Sequence, residues 1–192
     1  MFLAYEDGLI TCWDMATKMF LFPMIGHTNR VNALESANTF IYSSANDCTV
    51  RQWDTQNGTC VNIFKFSDPI SVCKVKAEDN FLFTASWDKM IRVVCLEKRI
   101  VLKAFIASKE TIKEMCFSNE MLIVAGCDPL IRGYHLETGA VKLFHGHKGW
   151  VYCLMIYNGY LYSGGDDNVV RIWDCNTGSQ VEQLIGHRNG VT

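Results

Sequence analysis

The chain lacks any run of basic residues: 18 Lys and Arg stand against 20 Asp and Glu, for a formal charge of −2. With no basic patch or stripe there is no electrostatic footprint for nucleic acid, and that partner class is excluded. No apolar run approaches the roughly 20 residues of a membrane span. The first residues also carry no basic segment followed by an apolar signal core. Neither membrane insertion nor secretion is expected. The nine cysteines (Cys12, Cys48, Cys60, Cys73, Cys95, Cys116, Cys127, Cys153 and Cys175) include no Cys-x-x-Cys pair, and their number is odd. Disulfide frameworks and zinc sites both need paired spacings, so neither is expected. Most of these cysteines sit in or beside strand-like runs as small apolar residues, a usage that fits a reducing compartment. A cytoplasmic location follows, with the nucleus as the alternative. His145 reads as a loop residue rather than a metal ligand. Gly-x-Ser-x-Gly elbows, phosphate loops and His-Glu-x-x-His are absent too, so no catalytic residue, metal or cofactor is expected. Helical periodicity is also missing, because no segment sustains a 3.6-residue apolar spacing.

What the chain does have is a repeat. Asp7, Asp47, Asp88, Asp128 and Asp167 each stand six residues before an aromatic or its stand-in: Trp13, Trp53, Val94, Tyr134 and Trp173. The steps between successive Asp residues are 40, 41, 40 and 39, so one unit recurs and every other feature is read against it. The unit is clearest from Gly146 to Gly186. Trp150–Met155 is an apolar run, Asn158-Gly159 a turn, and Tyr160–Ser163 a second run. Asp166-Asp167-Asn168 forms the next turn, Val169–Trp173 a third run, and Gln180–Leu184 a fourth after the turn at Asn176-Thr177-Gly178. Four short runs rich in β-branched and aromatic residues, bounded by Asn, Asp and Gly, predict a four-stranded antiparallel meander. One such sheet cannot bury both its faces alone and must pack face to face with others like it, which is the logic of a propeller. The expected fold is all-β: a β-propeller with four complete blades, 29–68, 69–109, 110–148 and 149–188. Partial blades at 1–28 and 189–192 flank them.

With Gly26-His27, Trp53-Asp54, Gly146-His147, Trp173-Asp174 and Gly186-His187, and Trp13-Asp14 in the first copy, the chain resembles the WD-repeat β-propellers. This group includes the β subunit of heterotrimeric G proteins. The resemblance implies a buried hydrogen-bond network joining a His before the first strand, a Ser or Thr on the second, the turn Asp, and a Trp on the third. That set is complete as His27, Ser43, Asp47 and Trp53, and again as His147, Ser163, Asp167 and Trp173. The middle copies depart from it. Phe66-Ser67 and Ala107-Ser108 replace Gly-His, while Val94-Cys95 and Tyr134-His135 replace Trp-Asp. Blades around Asp88 and Asp128 are therefore expected to be looser, or satisfied by water. Ser, His and Asp together also match the composition of a hydrolase triad. A triad needs an exposed nucleophile and an oxyanion hole, whereas these hydroxyls recur with the structural period, so a structural role is expected. Arg51, Arg92, Arg132 and Arg171 recur with the same period and read as structural rather than as a phosphate ladder.

The resemblance further implies a protein- or peptide-binding face made by the loops between the fourth and first strands and between the second and third. Positions that would point there are Arg30 and Asn32, Pro69 and Ser71, Thr111 and Lys113, and Trp150 and Tyr152, with Glu6, Asn46, Trp87, Cys127 and Asp166. The expected binding set is Trp87, Trp150, Tyr152, Arg30, Asn32, Asn46, Lys113 and Asp166. Trp87, Trp150 and Tyr152 lead it, because aromatic side chains bury much area at little entropic cost. Trp87 and Trp150 also occupy slots that hold unrelated residues in other copies, unlike the periodic Trp13, Trp53 and Trp173. The resemblance makes the chain a piece of a larger propeller, seven-bladed as is common in the family, whose cut faces call for further sequence or a partner. The function expected is a non-catalytic scaffold or adaptor. The alternatives are a substrate-recognition propeller of a ubiquitin ligase, or a structural subunit of a cytoskeletal, ciliary or trafficking assembly.

Overall fold

Nineteen strands in meander order account for the regular structure of the described residues. The computed structural model describes residues 1–76, 80–118 and 120–192, with only the backbone described for 71–76, so the side chains of Ser71 and Cys73 lie outside it. The chain divides into two compact units, Met1–Phe105 and Ile106–Thr192.

The first unit opens with a three-stranded sheet, β1 (Phe2–Ala4), β2 (Ile10–Trp13) and β3 (Phe20–Met24). It continues with β4 (Val31–Ala37), β5 (Phe40–Ala45), β6 (Thr49–Asp54) and β7 (Cys60–Lys65) in one four-stranded sheet. A second such sheet holds β8 (Ile70–Lys76), β9 (Phe81–Ser86), β10 (Met90–Cys95) and β11 (Ile100–Ile106), which ends at the unit boundary. The second unit holds two four-stranded sheets. One is β12 (Ile112–Ser118), β13 (Met121–Gly126), β14 (Asp128–His135) and β15 (Val141–Phe144). The other is β16 (Val151–Tyr157), β17 (Tyr160–Gly165), β18 (Val169–Asp174) and β19 (Gln180–Ile185). All pairings are between consecutive antiparallel strands.

Burial explains the composition of the strands. The second strands are covered on both faces, so Ile41–Ala45, Leu82–Ser86 and Leu122–Gly126 are unbroken buried runs of apolar and small residues. The fourth strands are outermost and far more exposed. Within the first unit the apolar side chains meet between successive sheets. Ile10, Met24, Val31, Ile41, Ala45 and Trp53 form one cluster, and Tyr42, Val50, Phe64, Ile70, Leu82 and Val94 form another. In the second unit the matching cluster is Ile123, Ala125, Ile131, Phe144, Val151, Leu161, Trp173 and Cys175. Burying a side chain such as Ile41 or Leu161 stabilises the fold by roughly 1.5–3 kcal/mol. The face-to-face contact, more than any single sheet, therefore holds each unit together.

Two local devices matter for the surface. The residue after the turn Asp takes positive φ in four sheets: Gly8 at φ 92°, Cys48 at φ 64°, Lys89 at φ 69° and Asn168 at φ 61°. Pro129 fills that place in the β13–β14 turn and cannot adopt positive φ. There the pairing closes earlier, with Asp128 already opposite Gly126 and β14 lengthened to eight residues. The second device is a bulge at the start of each first strand of the four-stranded sheets. The register shifts between Val31 and Ala33, Ile70 and Val72, Ile112 and Glu114, and Val151 and Cys153. The extra residues are Asn32, Ser71, Lys113 and Tyr152. A bulge leaves one residue out of the ladder and re-aims its side chain.

Candidate functional site

The buried network comes first because it fixes the loops that carry the surface. In the second sheet, Trp53 Nε1 donates to Ser43 Oγ at 2.7 Å, Ser43 Oγ lies 2.6 Å from His27 Nε2, and His27 Nδ1 lies 2.7 Å from Asp47 Oδ2. With the His27 proton on Nδ1, the Ser43 hydroxyl donates to Nε2 and Nδ1–H donates to the carboxylate, so every member is satisfied. Burial holds the His27 imidazole below its ordinary pKa, against the upward pull of Asp47. Burial pushes the Asp47 carboxyl up, but the Thr49 hydroxyl, His27 and the Thr28 N–H outweigh it and hold the carboxyl below its ordinary value. In the last sheet Trp173 Nε1 donates to Ser163 Oγ at 2.8 Å, and His147 lies 2.8 Å from Ser163 Oγ and 3.0 Å from Asp167 Oδ1. Arg171 adds a bond to Asp167 Oδ2 at 2.6 Å and stands 2.9 Å from His147 Nδ1. Burial and the Arg171 charge both disfavour protonation of His147. Ser43 and Ser163 are buried and already receive an indole N–H. A nucleophile must be open to substrate, so this geometry does not serve hydrolysis.

The middle sheets hold their turn Asp differently from the loose arrangement expected. Arg92 makes two contacts to the Asp88 carboxylate, and Ser86 donates to the same group. Arg132 binds Asp128 through both carboxylate oxygens, at 3.1 and 2.8 Å, while Ser108 Oγ stands 3.4 Å from Asp128 Oδ2 in the place of the missing His. The Tyr134 hydroxyl donates to the Ala107 carbonyl at 2.6 Å, where a Trp would otherwise reach inward. The guanidinium thus substitutes for imidazole at the turn Asp. Arg51 is the exception: it lies 5.9 Å over the Trp53 ring. The reason is legible two residues before it, where the Thr49 hydroxyl already occupies Asp47 Oδ1 at 2.7 Å. The corresponding residues Met90, Leu130 and Val169 have no hydroxyl. The periodic spacing of Arg and Asp, four residues apart in a tight turn, was the signal for these pairs.

The expected binding residues fall into separate groups. In the first unit the exposed Arg30 pairs with Glu6 at 3.1 Å, an open ion pair of little energetic weight. Asn32, at its bulge, donates to Asn46 Oδ1 at 2.7 Å and to the Ile70 carbonyl at 2.8 Å. Both amides are half-buried and tie β4 to the start of β8, so they clamp two sheets rather than face a ligand freely. Trp87 is 48% exposed and follows directly after β9. In the second unit Lys113 is exposed at its bulge. Trp150, 49% exposed, meets Tyr152 edge to face, with ring centroids 6.3 Å apart and planes at 85°. The Tyr152 hydroxyl lies 3.3 Å from Asp166 Oδ1, and the Asp166 N–H donates to the Trp150 carbonyl at 2.8 Å. Desolvation, then the Asp166 charge, pushes the Tyr152 phenol above its ordinary pKa. Trp150, Tyr152 and Asp166 therefore form one continuous patch, in which Trp150 and Asp166 are exposed and Tyr152 is half-buried.

Sequence reasoning had no signal for a cleft of about 270 Å³ in the second unit, lined by Ser118, Glu120, Met121, His135, Lys142, Cys175 and Asn176. Its polar groups largely satisfy one another. His135 Nε2 lies 3.3 Å from Glu120 Oε2, and Lys142 Nζ donates to the carbonyls of Cys175 and Asn176. It is a seam between two sheets.

The family profile described as WD domain, G-beta repeat matches residues 19–54, 58–94 and 139–174. Relatives include the Transducin beta-like protein 3 of Homo sapiens, 24% identical over 82% of this chain and 21% of that protein. The Zinc finger CCCH domain-containing protein 17 of Oryza sativa subsp. japonica is 27% identical over 89% of this chain and 40% of that protein. The E3 ubiquitin-protein ligase COP1 of Arabidopsis thaliana is 27% identical over 87% of this chain and 26% of that protein. Among solved structures, U3-55K superposes with a TM-score of 0.88 at 19% identity, over 96% of this chain and 60% of that one. The WD40 beta propeller domain of Doa1 gives 0.87 at 24% identity, over 98% and 65%. The chain thus spans only 21–40% of the length of these curated relatives.

Proposed function

The chain belongs to the WD domain, G-beta repeat family, and from that premise we propose that it is a non-catalytic scaffold or adaptor that holds a protein or peptide partner on residues at the starts of its bulged first strands. The observation that carries this reading is the Trp150–Tyr152 pair, an exposed indole beside a half-buried phenol, fixed against Asp166 by one side-chain and one backbone hydrogen bond. Soluble domains do not ordinarily leave a half-exposed indole rigidly propped beside a second ring. Such anchors are enriched at interface hot spots. Trp87 supplies a second exposed anchor in the first unit. The eight described cysteines are all free thiols, which supports a reducing, cytoplasmic or nuclear setting.

The test is affinity recovery of partners from cells with the natural chain and with Trp87→Ala, Trp150→Ala and Tyr152→Ala combined. All three side chains stand outside the buried network, so the blades are expected to stay folded, which circular dichroism and thermal unfolding check. Loss of partners from the folded variant is the expected outcome. Undiminished recovery would sink the reading in favour of binding spread over blade rims, as in a structural subunit of a large assembly. The likeness to the ubiquitin ligase COP1 favours one narrower version, in which the bound partner is a ligase substrate. In that case the recovered partners become more abundant when the chain is depleted.

A further inference from the structure

Asp166 stands out among the carboxylates of the second unit's face. Its Oδ1 accepts from the Tyr152 hydroxyl at 3.3 Å, its backbone is pinned to Trp150, and among the described residues no Lys or Arg pairs with it. A Cβ at Gly149 would sit 3.0 Å from the Asp166 Cβ and 3.4 Å from Oδ2, so the glycine lets the loop close against this side chain. Asp166 is exposed, and its Oδ2 has no hydrogen-bond partner among the described residues. The cations nearest Trp150 in sequence are engaged elsewhere or exposed: Lys148 contributes its backbone N–H to Asp167, Lys142 donates to the Cys175 and Asn176 carbonyls, and Arg171 binds Asp167. The turn Asp beside it is fully engaged: Asp167 holds His147 and Arg171. Two neighbouring carboxylates at one turn are thus divided in role, one closed inside the blade and one open beside two aromatic rings.

We propose that Trp150, Tyr152 and Asp166 form a subsite for a cationic side chain, a lysine or arginine presented by a peptide segment of the partner. This rests on the reading that the face binds a peptide, and names the chemistry it selects. An apolar side chain laid on Trp150 would cover the Asp166 carboxylate without neutralising it, and an unpaired charge taken out of water is strongly unfavourable. An anion would meet that carboxylate directly. A cation uses every part of the patch. The indole face attracts it through its quadrupole, the Tyr152 ring packs along its apolar stem, and the Asp166 carboxylate accepts a charge-assisted hydrogen bond. The perpendicular arrangement of the rings supplies one face and one edge, so the cation sits over Trp150 with its apolar stem along Tyr152.

The test uses the 192-residue chain labelled with 5-fluorotryptophan, in which Trp150 is one of five tryptophans and its ¹⁹F resonance is assigned with Trp150→Phe. Blocked Gly-X-Gly peptides, with X as lysine, arginine or norleucine, are titrated in. The lysine and arginine peptides are expected to shift the Trp150 resonance saturably, with norleucine weaker by about tenfold or more. Asp166→Asn is expected to weaken the cationic peptides by about five- to tenfold while leaving the Trp53 and Trp173 resonances in place. A norleucine peptide that binds as well as lysine, an Asp166→Asn variant that binds unchanged, or a Trp150 resonance that no peptide moves would overturn the cationic subsite. Partner loss in the triple alanine variant reads out separately. If partners are lost but norleucine equals lysine, the face binds a peptide through apolar contact, and only the cationic chemistry falls.

Discussion

The hydroxyl slot on the second strand of each blade gives the sharpest test, because the same position should respond in opposite ways in neighbouring sheets. Ser43, Thr84, Val124 and Ser163 each stand four residues before the turn Asp, and all four are buried. Ser43→Ala removes one oxygen and strands two groups, the Trp53 indole N–H at 2.7 Å and His27 Nε2 at 2.6 Å. Each buried group left without a partner costs about 1–3 kcal/mol. Freeing the hydroxyl from its own burial offsets roughly 1 kcal/mol of this. The expected loss is about 1–5 kcal/mol. Thr84 is equally buried, yet its Oγ1 has no partner among the described residues, and the stand-in at the Trp position of its sheet is Val94. Thr84→Val keeps the shape and removes an unpaired polar atom, so it should be neutral or stabilising by up to about 1 kcal/mol. Val124 already fills this slot in the second unit. Urea unfolding measures the sum, and hydrogen exchange read by mass spectrometry assigns it to β4–β7 or β8–β11, which matters because repeat units need not unfold together. A Ser43→Ala loss below about 0.5 kcal/mol, or a Thr84→Val loss equal to it, would refute the reasoning.

Acid should open the His-held sheets before the sheet whose turn Asp is held by Arg92. His27 and His147 sit below the ordinary value of 6.5 when folded, so their contribution is present above that value and is lost as pH falls through the depressed folded pKa. Burial raises the Asp88 carboxyl, but Arg92, Ser86 and the Met90 N–H pull it below 3.8, so its contribution is lost only at lower pH still. Hydrogen exchange stepped from about pH 7 to 4, corrected for intrinsic rates, should therefore show β6 and β18 losing protection before β10. Equal or reversed order would contradict the assignment. Arg132→Ala leaves the Asp128 carboxylate uncompensated and should cost about 2–4 kcal/mol. Arg132→Lys should restore only part of this, since an ammonium cannot bond both oxygens, and a double-mutant cycle with Asp128→Asn measures the coupling. Lys89→Gly should stabilise by about 0.5–1 kcal/mol by relieving a left-handed residue, whereas Asn168→Gly should be nearly neutral because Asn tolerates that conformation. Thermal unfolding of the two variants distinguishes them.

The fold was legible because the constraint on it is periodic. A turn Asp recurring at steps of 39 to 41 marks the same bend five times, and the strand runs between must then pair as meanders. Individual hydrogen bonds were less legible because they depend on which neighbour reaches the carboxylate first. The four-residue spacing marks the Asp–Arg pairs, but only the turn geometry, folding Arg92 and Arg132 back onto Asp88 and Asp128, makes the guanidinium the substitute for a missing imidazole. The departure at Arg51 is decided by one hydroxyl, Thr49, a residue unremarkable in sequence. Surface roles were harder again. Asn32 and Asn46 occupy positions that point to the face, but their amides find each other and the Ile70 carbonyl. An amide with a backbone carbonyl in reach bonds to it whatever its position implies.

The two kinds of lock bear on the surface they support. Where a His, a Ser and a Trp are all present, the loop before the first strand is tied to the turn Asp. In the last sheet this happens through the His147 ring and the Lys148 N–H, both held by Asp167. That places Gly149 and Trp150 directly after a fixed point, and the bulge then turns Tyr152 toward Asp166. Where Arg replaces His, the carboxylate is held from its own hairpin, at i and i+4, and the preceding loop is tied less directly, through Ser108 at 3.4 Å in the fourth sheet. A rigid loop is what an aromatic anchor needs, because ordering a side chain on binding costs about 0.5–1.5 kcal/mol that preorganisation avoids. The fully locked last sheet therefore carries the preorganised aromatic pair for a structural reason. Breaking that lock with Ser163→Ala should weaken binding at Trp150 without touching any residue of the patch. The ¹⁹F titration reads this as a lower affinity for the lysine peptide with an unchanged preference over norleucine. An unchanged affinity in the folded variant would separate the lock from the site.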